Sequence, residues 1–120
     1  MKSRNLRESF YYAFSGILYG FFRERNLKIH LLAAILAIFL GCFFGLTRIE
    51  WAILIFTIFL VFIAETINTA IEKTIDLVTS EYHPLAKVAK NLAAGAVLLS
   101  AINAVIMGII IFGPYIYYNL

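Results

Sequence analysis

The sequence has little charge and a single cysteine, and each shortage excludes a class of protein. Only 14% of its 120 residues are charged, whereas 62% are hydrophobic. A soluble domain of this length has too little interior to bury that much apolar surface. The single cysteine, Cys42, excludes an intrachain disulfide. The composition therefore predicts an integral membrane protein.

The basic residues are few and unevenly placed along the chain. They give a formal net charge of +3, and they lie beside the apolar runs instead of forming one basic face, so nucleic acid is not expected as a partner. Most of them lie before residue 29 or between residues 73 and 90, and no charged residue follows Lys90. Cytoplasmic loops carry an excess of Lys and Arg. We therefore expect the N-terminus and the 73–90 region in the cytoplasm, and the 47–50 turn and the C-terminus outside.

Residues 5–27 have the period of an amphipathic helix. Apolar side chains recur at helical spacing on one face, while Glu8 and Arg23 fall elsewhere. The apolar positions are Phe10, Phe14, Ile17, Leu18, Phe21 and Phe22. This pattern is typical of a helix that lies in the plane of the membrane interface. No small-residue cleavage site follows a short apolar core, so a cleavable signal peptide is not expected.

Three further apolar runs are long enough to cross a bilayer. The transmembrane spans are expected over residues 29–47, 49–78 and 84–112. Pro84 suits the first turn of a helix, and Gly113-Pro114 is expected to end the last span. The sequence therefore predicts one all-α membrane domain over residues 1–120, with a surface helix followed by three transmembrane helices.

Four polar side chains follow one face of the second predicted span. They are Glu65, Asn68, Glu72 and Asp76. Their spacing places them within an arc of about 80° on a helix. Glu65 lies roughly 24 Å along the helix from Ile49, just inside the cytoplasmic boundary of a hydrocarbon core about 30 Å thick. The later members extend into water, so this polar row crosses the membrane interface.

The depth of Glu65 indicates a function. A carboxylate inside the membrane boundary is costly without a partner or a task, and one partly removed from water suits a general base toward an alcohol. The outer carboxylates suit Mg²⁺, which usually binds one or two carboxylates together with nucleotide phosphates, and Glu24 is a candidate second ligand. Lys90 is placed to neutralise phosphate charge. Together these residues favour phosphoryl transfer to an alcohol at the interface.

Simpler interpretations exist for several of these residues. Taken singly, the outer carboxylates are typical of solvated charges near a helix end: Glu72, Asp76 and Glu81. Glu24 is four residues before Lys28, which is the spacing of an ordinary helical ion pair. Glu65 is harder to explain as a structural residue, because a carboxylate at that depth is uncommon and Asn68 lies one turn away.

A small multidrug or ion transporter is the main alternative from another class of protein. An intramembrane carboxylate that binds a transported cation is expected near the bilayer midplane. Glu65 is predicted near one boundary, with polar neighbours that extend outward. This position favours interfacial chemistry and therefore an enzyme.

Two stretches of the sequence resemble the signature of the prokaryotic diacylglycerol kinase family, which includes the undecaprenol kinases. They are residues 65–76 (ETINTAIEKTID) and 81–97 (EYHPLAKVAKNLAAGAV). The likeness covers nearly the whole chain, because the surface helix, the three spans and both polar stretches come in the family's order. The sequence has neither a Walker loop nor a glycine-rich kinase loop, and the family has none.

The resemblance implies a homotrimer with active sites between subunits at the cytoplasmic interface, and ATP as the phosphate donor. By motif match, Glu65 would contact the lipid substrate and deprotonate its hydroxyl, and Asn68 would support Glu65. Glu24 and Glu72 would bind the Mg²⁺ ion that bridges the ATP phosphates. The nucleotide site would be lined by Tyr12, Glu24, Glu72, Glu81, Tyr82, His83, Lys90 and Asn91.

The second polar stretch carries one departure from the family pattern and one indication of the acceptor. The family usually has aspartate where this chain has Asn91, so weaker nucleotide or metal binding is expected, and a catalytically silent membrane subunit is a third alternative. The segments HPLAK (83–87) and AAGAV (93–97) resemble the undecaprenol kinase branch. We therefore expect undecaprenol as the acceptor, with diacylglycerol as the alternative.

Overall fold

The computed structural model describes residues 5–119, which form four helices. The helices are α1 (Leu6–Arg23), α2 (Arg25–Phe44), α3 (Arg48–Val78) and α4 (Pro84–Asn119). By length and composition, α2, α3 and α4 are each able to cross a membrane. The longest dimension of the molecule is 54 Å, which is about the length of α4 at 1.5 Å per residue. The prediction of an all-helical protein with three membrane-spanning helices is confirmed.

The helix predicted over 5–27 is interrupted at Glu24, so this boundary was wrong. The backbone of Glu24 is extended, with φ −102° and ψ 122°. Just beyond it, Leu27 is only 3% exposed and lies against Gly20 of α1. Because Leu27 folds back onto α1, the two helices meet at a bend without a loop. The first spanning helix therefore begins at Arg25, and not at residue 29.

The turn between α2 and α3 is set by glycine and by a capping box. α2 ends at Phe44, before the predicted end at residue 47, because Gly45 takes the left-handed conformation with φ 70°. Thr47 then caps α3, since its hydroxyl accepts a hydrogen bond from the backbone N–H of Glu50 at 3.2 Å. The Glu50 carboxylate accepts one from the backbone N–H of Thr47 at 2.9 Å.

α4 does not end at Gly113-Pro114, and the prediction of a stop there was wrong. The helix continues through Pro114 to Asn119. The ring of Tyr115 stacks on that of Phe44 with centroids 5.5 Å apart, and its hydroxyl donates a hydrogen bond to Glu50. These contacts hold the last turns of α4 against α2 and α3. Proline is tolerated in a spanning helix when neighbouring groups hold the backbone in this way.

The buried side chains change in character along α3. At the Glu50 end they are apolar and form a cluster of Leu46, Leu54, Ile111 and Phe112. At the other end they are polar, namely Glu65, Asn68 and Thr69. We call this second region, where the last turns of α3 contact both the α1–α2 bend and the start of α4, the polar end. It positions the candidate site residues that the bend, α3 and the start of α4 carry.

The close approach of α2 to α3 at Gly41 gives a test of the packing. A Cβ atom on Gly41 would lie 2.7 Å from the Trp51 ring and 3.0 Å from the Leu46 side chain. We expect Gly41→Ala to lower the free energy of unfolding by about 1–3 kcal/mol through overpacking, seen as a lower melting temperature in detergent. Gly108→Ala is the matched control, because its Cβ would meet nothing within 4 Å. Equal melting temperatures would contradict the packing described here.

Candidate active site

Glu65 is buried in the polar end, with 2% of its surface exposed. Its Oε1 accepts a hydrogen bond from the Nδ2 of Asn26 at 3.3 Å, and its Oε2 lies 3.9 Å from the Nε2 of His30. Within residues 5–119, Oε2 has no hydrogen-bond partner. A buried acceptor without a donor is costly, and a hydroxyl group is a suitable donor for it. Oε2 is therefore left to accept a hydrogen bond from a further group, such as a hydroxyl.

Asn68 and Glu72 continue the row outward from Glu65. The Nδ2 of Asn68 donates a hydrogen bond to the Oε1 of Glu72 at 3.1 Å, while its own Oδ1 is buried and has no partner in the described part of the chain. Glu72 is half-buried, and Asp76 one turn further is exposed. The row thus runs from a buried carboxylate to a solvated one, as its spacing predicts.

Lys73 ties the α1–α2 bend to α3. Its Nζ lies 3.3 Å from the Oε1 of Glu24 and 5.6 Å from the centroid of the Tyr19 ring. The simpler interpretation that Glu24 pairs with Lys28 is therefore wrong, because among residues 5–119 its ion pair is with Lys73. The bend in the backbone at Glu24 turns this carboxylate toward α3. Glu24 is thereby held beside the residue that follows Glu72.

A pocket of about 440 Å³ lies between the facing ends of α3 and α4. It brings together five of the predicted nucleotide residues with one further carboxylate: Glu81, Tyr82, His83, Lys90, Asn91 and Asp76. The Nζ of Lys90 lies 2.7 Å from the Oδ1 of Asp76, so this pair links the two helices across the pocket. Glu24 and Glu72 lie outside its lining, in the row described above.

The segment between α3 and α4 is folded by its own side chains. The backbone N–H of Glu81 donates to the Thr79 hydroxyl at 3.2 Å, and the backbone N–H of Leu85 donates to the Nδ1 of His83 at 3.1 Å. His83 therefore caps the first turn of α4, which leaves its Nε2 for other contacts. Tyr12 is not part of this pocket; its ring lies edge-to-face against that of Tyr11 on α1, with centroids 5.5 Å apart.

An apolar cleft of about 270 Å³ lies between α2, α3 and α4. Small side chains on two of the helices leave this space open, among them Ala34, Ala37, Ala101 and Ala104. One end of the cleft is formed by His30 and Phe62, and Phe62 lies one turn before Glu65. This end of the cleft therefore lies toward the buried carboxylate, since the Nε2 of His30 is 3.9 Å from Oε2.

Asn26 and His30 are the contacts of Glu65 that the sequence interpretation missed. They lie four residues apart at the start of α2, so they occupy one face of that helix. The sequence shows Asn26 and His30 as two polar residues in a helix that is otherwise mostly apolar. Charged neighbours such as Arg25 and Lys28 make this pair hard to recognise as part of a site. Only the fold shows that this face meets α3 at Glu65.

Comparison with known proteins decides the family. The family model for prokaryotic diacylglycerol kinase matches residues 11–112. The chain belongs to the prokaryotic diacylglycerol kinase family. As a member of this family it is a membrane-bound lipid kinase, a phosphotransferase that uses ATP and a lipid acceptor, and the transporter alternative is set aside.

Individual family members give the extent of the similarity. The chain is 47% identical over 105 residues to a diacylglycerol kinase of Synechocystis. The aligned residues cover 87% of this chain but only 60% of that protein. It is 44% identical over 107 residues to an undecaprenol kinase of Bacillus subtilis, covering 89% and 87% of the two chains. The diacylglycerol kinase of Escherichia coli is 35% identical over 95 residues, covering 79% and 78%. The Bacillus protein supports the predicted branch of the diacylglycerol kinase family.

Proposed function

We propose that the protein is an undecaprenol kinase that transfers the γ-phosphoryl group of ATP to the undecaprenol hydroxyl at the cytoplasmic boundary of the bacterial inner membrane. The observation that carries this proposal is the buried Oε2 of Glu65, which has no donor among the described residues and lies one turn from the end of an apolar cleft. A long apolar alcohol supplies both the chain for the cleft and the hydroxyl for the carboxylate.

In the proposed reaction, Glu65 is the general base. The acceptor hydroxyl donates to Oε2, and its proton passes to that oxygen as the hydroxyl oxygen bonds to the γ-phosphorus and ADP leaves. Asn68 supports the site by orienting Glu72 through the hydrogen bond between them. The 440 Å³ pocket between α3 and α4 holds ATP, where Lys90 neutralises phosphate charge.

Glu24 and Glu72 are proposed to hold Mg²⁺. Among residues 5–119, no three His, Cys, Asp or Glu side chains come together as a metal cage. Two carboxylates completed by nucleotide phosphates are nevertheless the usual arrangement for Mg²⁺, and the oxygen donors of Glu24 and Glu72 fit that preference. When bound, the ion supplies charge neutralisation at the phosphates.

The proposal also includes the oligomeric state of the protein and its orientation in the membrane. An apolar groove of about 1,200 Å³ runs along α3 and α4 on the side lined by Ile67 and Ser100, and in the proposed assembly a second copy of the chain covers this groove. This supports the homotrimer, with Tyr12 near a neighbouring subunit's nucleotide. The excess of Lys and Arg around the polar end supports a cytoplasmic N-terminus.

The proposed acceptor is tested by ATP–Mg²⁺-dependent phosphorylation of undecaprenol and of diacylglycerol, side by side in mixed micelles. We expect undecaprenol to be the faster acceptor by about tenfold or more. This ratio corresponds to a difference of about 1.4 kcal/mol in barrier height. Faster turnover of diacylglycerol would contradict the proposal and favour the activity after which the Synechocystis relative is named.

The same assay tests whether Asn91 permits catalysis, because the family usually has aspartate at this position. If neither lipid is phosphorylated by the protein and Asn91→Asp restores turnover, the chain is the catalytically silent alternative. Measurable turnover with Asn91 in place would exclude that alternative.

A further inference from the structure

Two side chains of α2 reach the Glu65 carboxylate. The Nδ2 of Asn26 donates to Oε1 at 3.3 Å, and the Nε2 of His30 lies 3.9 Å from Oε2. Asn26 and His30 are one helical turn apart, so a single face of α2 addresses both oxygens of one carboxylate. Asn26 and Glu65 are 39 positions apart in the sequence, so the fold and not local spacing brings them together.

The short reach of these side chains requires α2 to lie close to α3. Along the same face, α2 buries Leu27, Ala34 and Gly41. Ala34 and Gly41 are small, which brings the two backbones together, and Leu27 fixes the start of α2 against the bend. The spacing of these residues, at multiples of seven, keeps them on the face that carries His30. The packing of α2 against α3 therefore fixes the positions of Asn26 and His30.

His30 also belongs to the apolar cleft between α2, α3 and α4. Its side chain is 22% exposed, whereas that of Glu65 is 3% exposed. The imidazole therefore borders both the cleft and the buried carboxylate. The ring is thus in contact with the cleft and 3.9 Å from Oε2.

We propose that Asn26 and His30 are positioning residues for the acceptor reaction. Asn26 fixes Oε1, and the His30 ring limits rotation of the carboxylate so that Oε2 faces the incoming hydroxyl. This inference rests on the proposed role of Glu65 as the base. Misplacement of a reacting group by about 1 Å lowers the rate by as much as about 100-fold, so loss of either contact is expected to affect the chemical step.

The test compares variants that remove the contacts with variants that preserve their shape or donor. Asn26→Asp keeps the shape of the side chain but removes the N–H donor, and His30→Ala removes the ring. We expect each to lower kcat for the lipid by about tenfold to 100-fold, while the KM for ATP stays unchanged. His30→Gln restores a planar polar side chain beside Oε2 and is expected to recover much of the kcat. Leu31→Ala, on the exposed side of α2, is the control.

The outcomes separate this inference from the proposed function. Unchanged kcat in Asn26→Asp and His30→Ala, with Glu65→Gln inactive, would overturn the positioning role and leave the base assignment in place. Loss of kcat that follows a lower melting temperature in detergent and is not recovered by His30→Gln would also overturn it, since it would mark a structural role. High activity of Glu65→Gln would instead contradict the proposed function itself.

Discussion

Replacing Glu65 by glutamine is expected to lower transfer to the lipid acceptor by about 10²- to 10⁴-fold, the range that a general base contributes. The substitution keeps the shape of the side chain and its acceptor oxygen for Asn26, but glutamine cannot accept the hydroxyl proton. Phosphorylation of undecaprenol in mixed micelles measures the loss. Binding of a fluorescent ATP analogue should change little, because Glu65 lies outside the pocket between α3 and α4.

The control for Glu65→Gln is Thr66→Val, at the next position of the same helix. Thr66 is exposed, and its hydroxyl donates only to the backbone carbonyl of Phe62, at 2.7 Å. This variant should keep near-normal turnover. If Glu65→Gln retained most of its activity, the base would have to be another group, and the mechanism proposed here would be wrong.

Replacing Glu72 by glutamine is expected to have the second largest effect, a loss of about 100-fold in kcat/KM for ATP–Mg²⁺. Removing a proposed carboxylate ligand weakens the binding of Mg²⁺, and a 100-fold loss corresponds to about 2.7 kcal/mol. The glutamine side chain still offers an oxygen to the Nδ2 of Asn68, so the local hydrogen bond is preserved and the loss reports on charge. Initial rates over a series of Mg²⁺ concentrations measure it.

The metal dependence distinguishes the proposed role of Glu72 from a structural one. We expect Glu72→Gln to need a higher Mg²⁺ concentration for half-maximal rate, with an unchanged melting temperature in detergent. Glu8→Gln, at the exposed start of α1, is the matched control and should keep the normal Mg²⁺ dependence. A normal Mg²⁺ curve for Glu72→Gln would remove Glu72 from the set of proposed metal ligands.

The helices and the polar row were predictable because both depend on local spacing. Apolar runs of spanning length identify α2, α3 and α4 from the sequence. The positions of Glu65, Asn68 and Glu72 on one face follow from the helical period alone, and the structure keeps that order, with Asn68 bonded to Glu72. The family resemblance likewise rests on residues that lie close together in the chain.

The helix boundaries were less predictable, because contacts between distant residues decide them. Leu27 against Gly20 places a bend at Glu24 within a pattern that is helical throughout. The contacts of Tyr115 with α2 and α3 carry α4 past Pro114, although proline is ordinarily a stop signal. In both cases, packing outweighs the local preference of the backbone.

The sequence by itself determined the membrane class, the three spanning helices, the kinase family and the carboxylates on α3. Only the tertiary structure decided which groups meet them. It brings Asn26 and His30 to Glu65, and Lys73 rather than Lys28 to Glu24. The physical reason is that helical spacing fixes neighbours within one helix, whereas contacts between helices depend on how closely their small residues let the backbones approach.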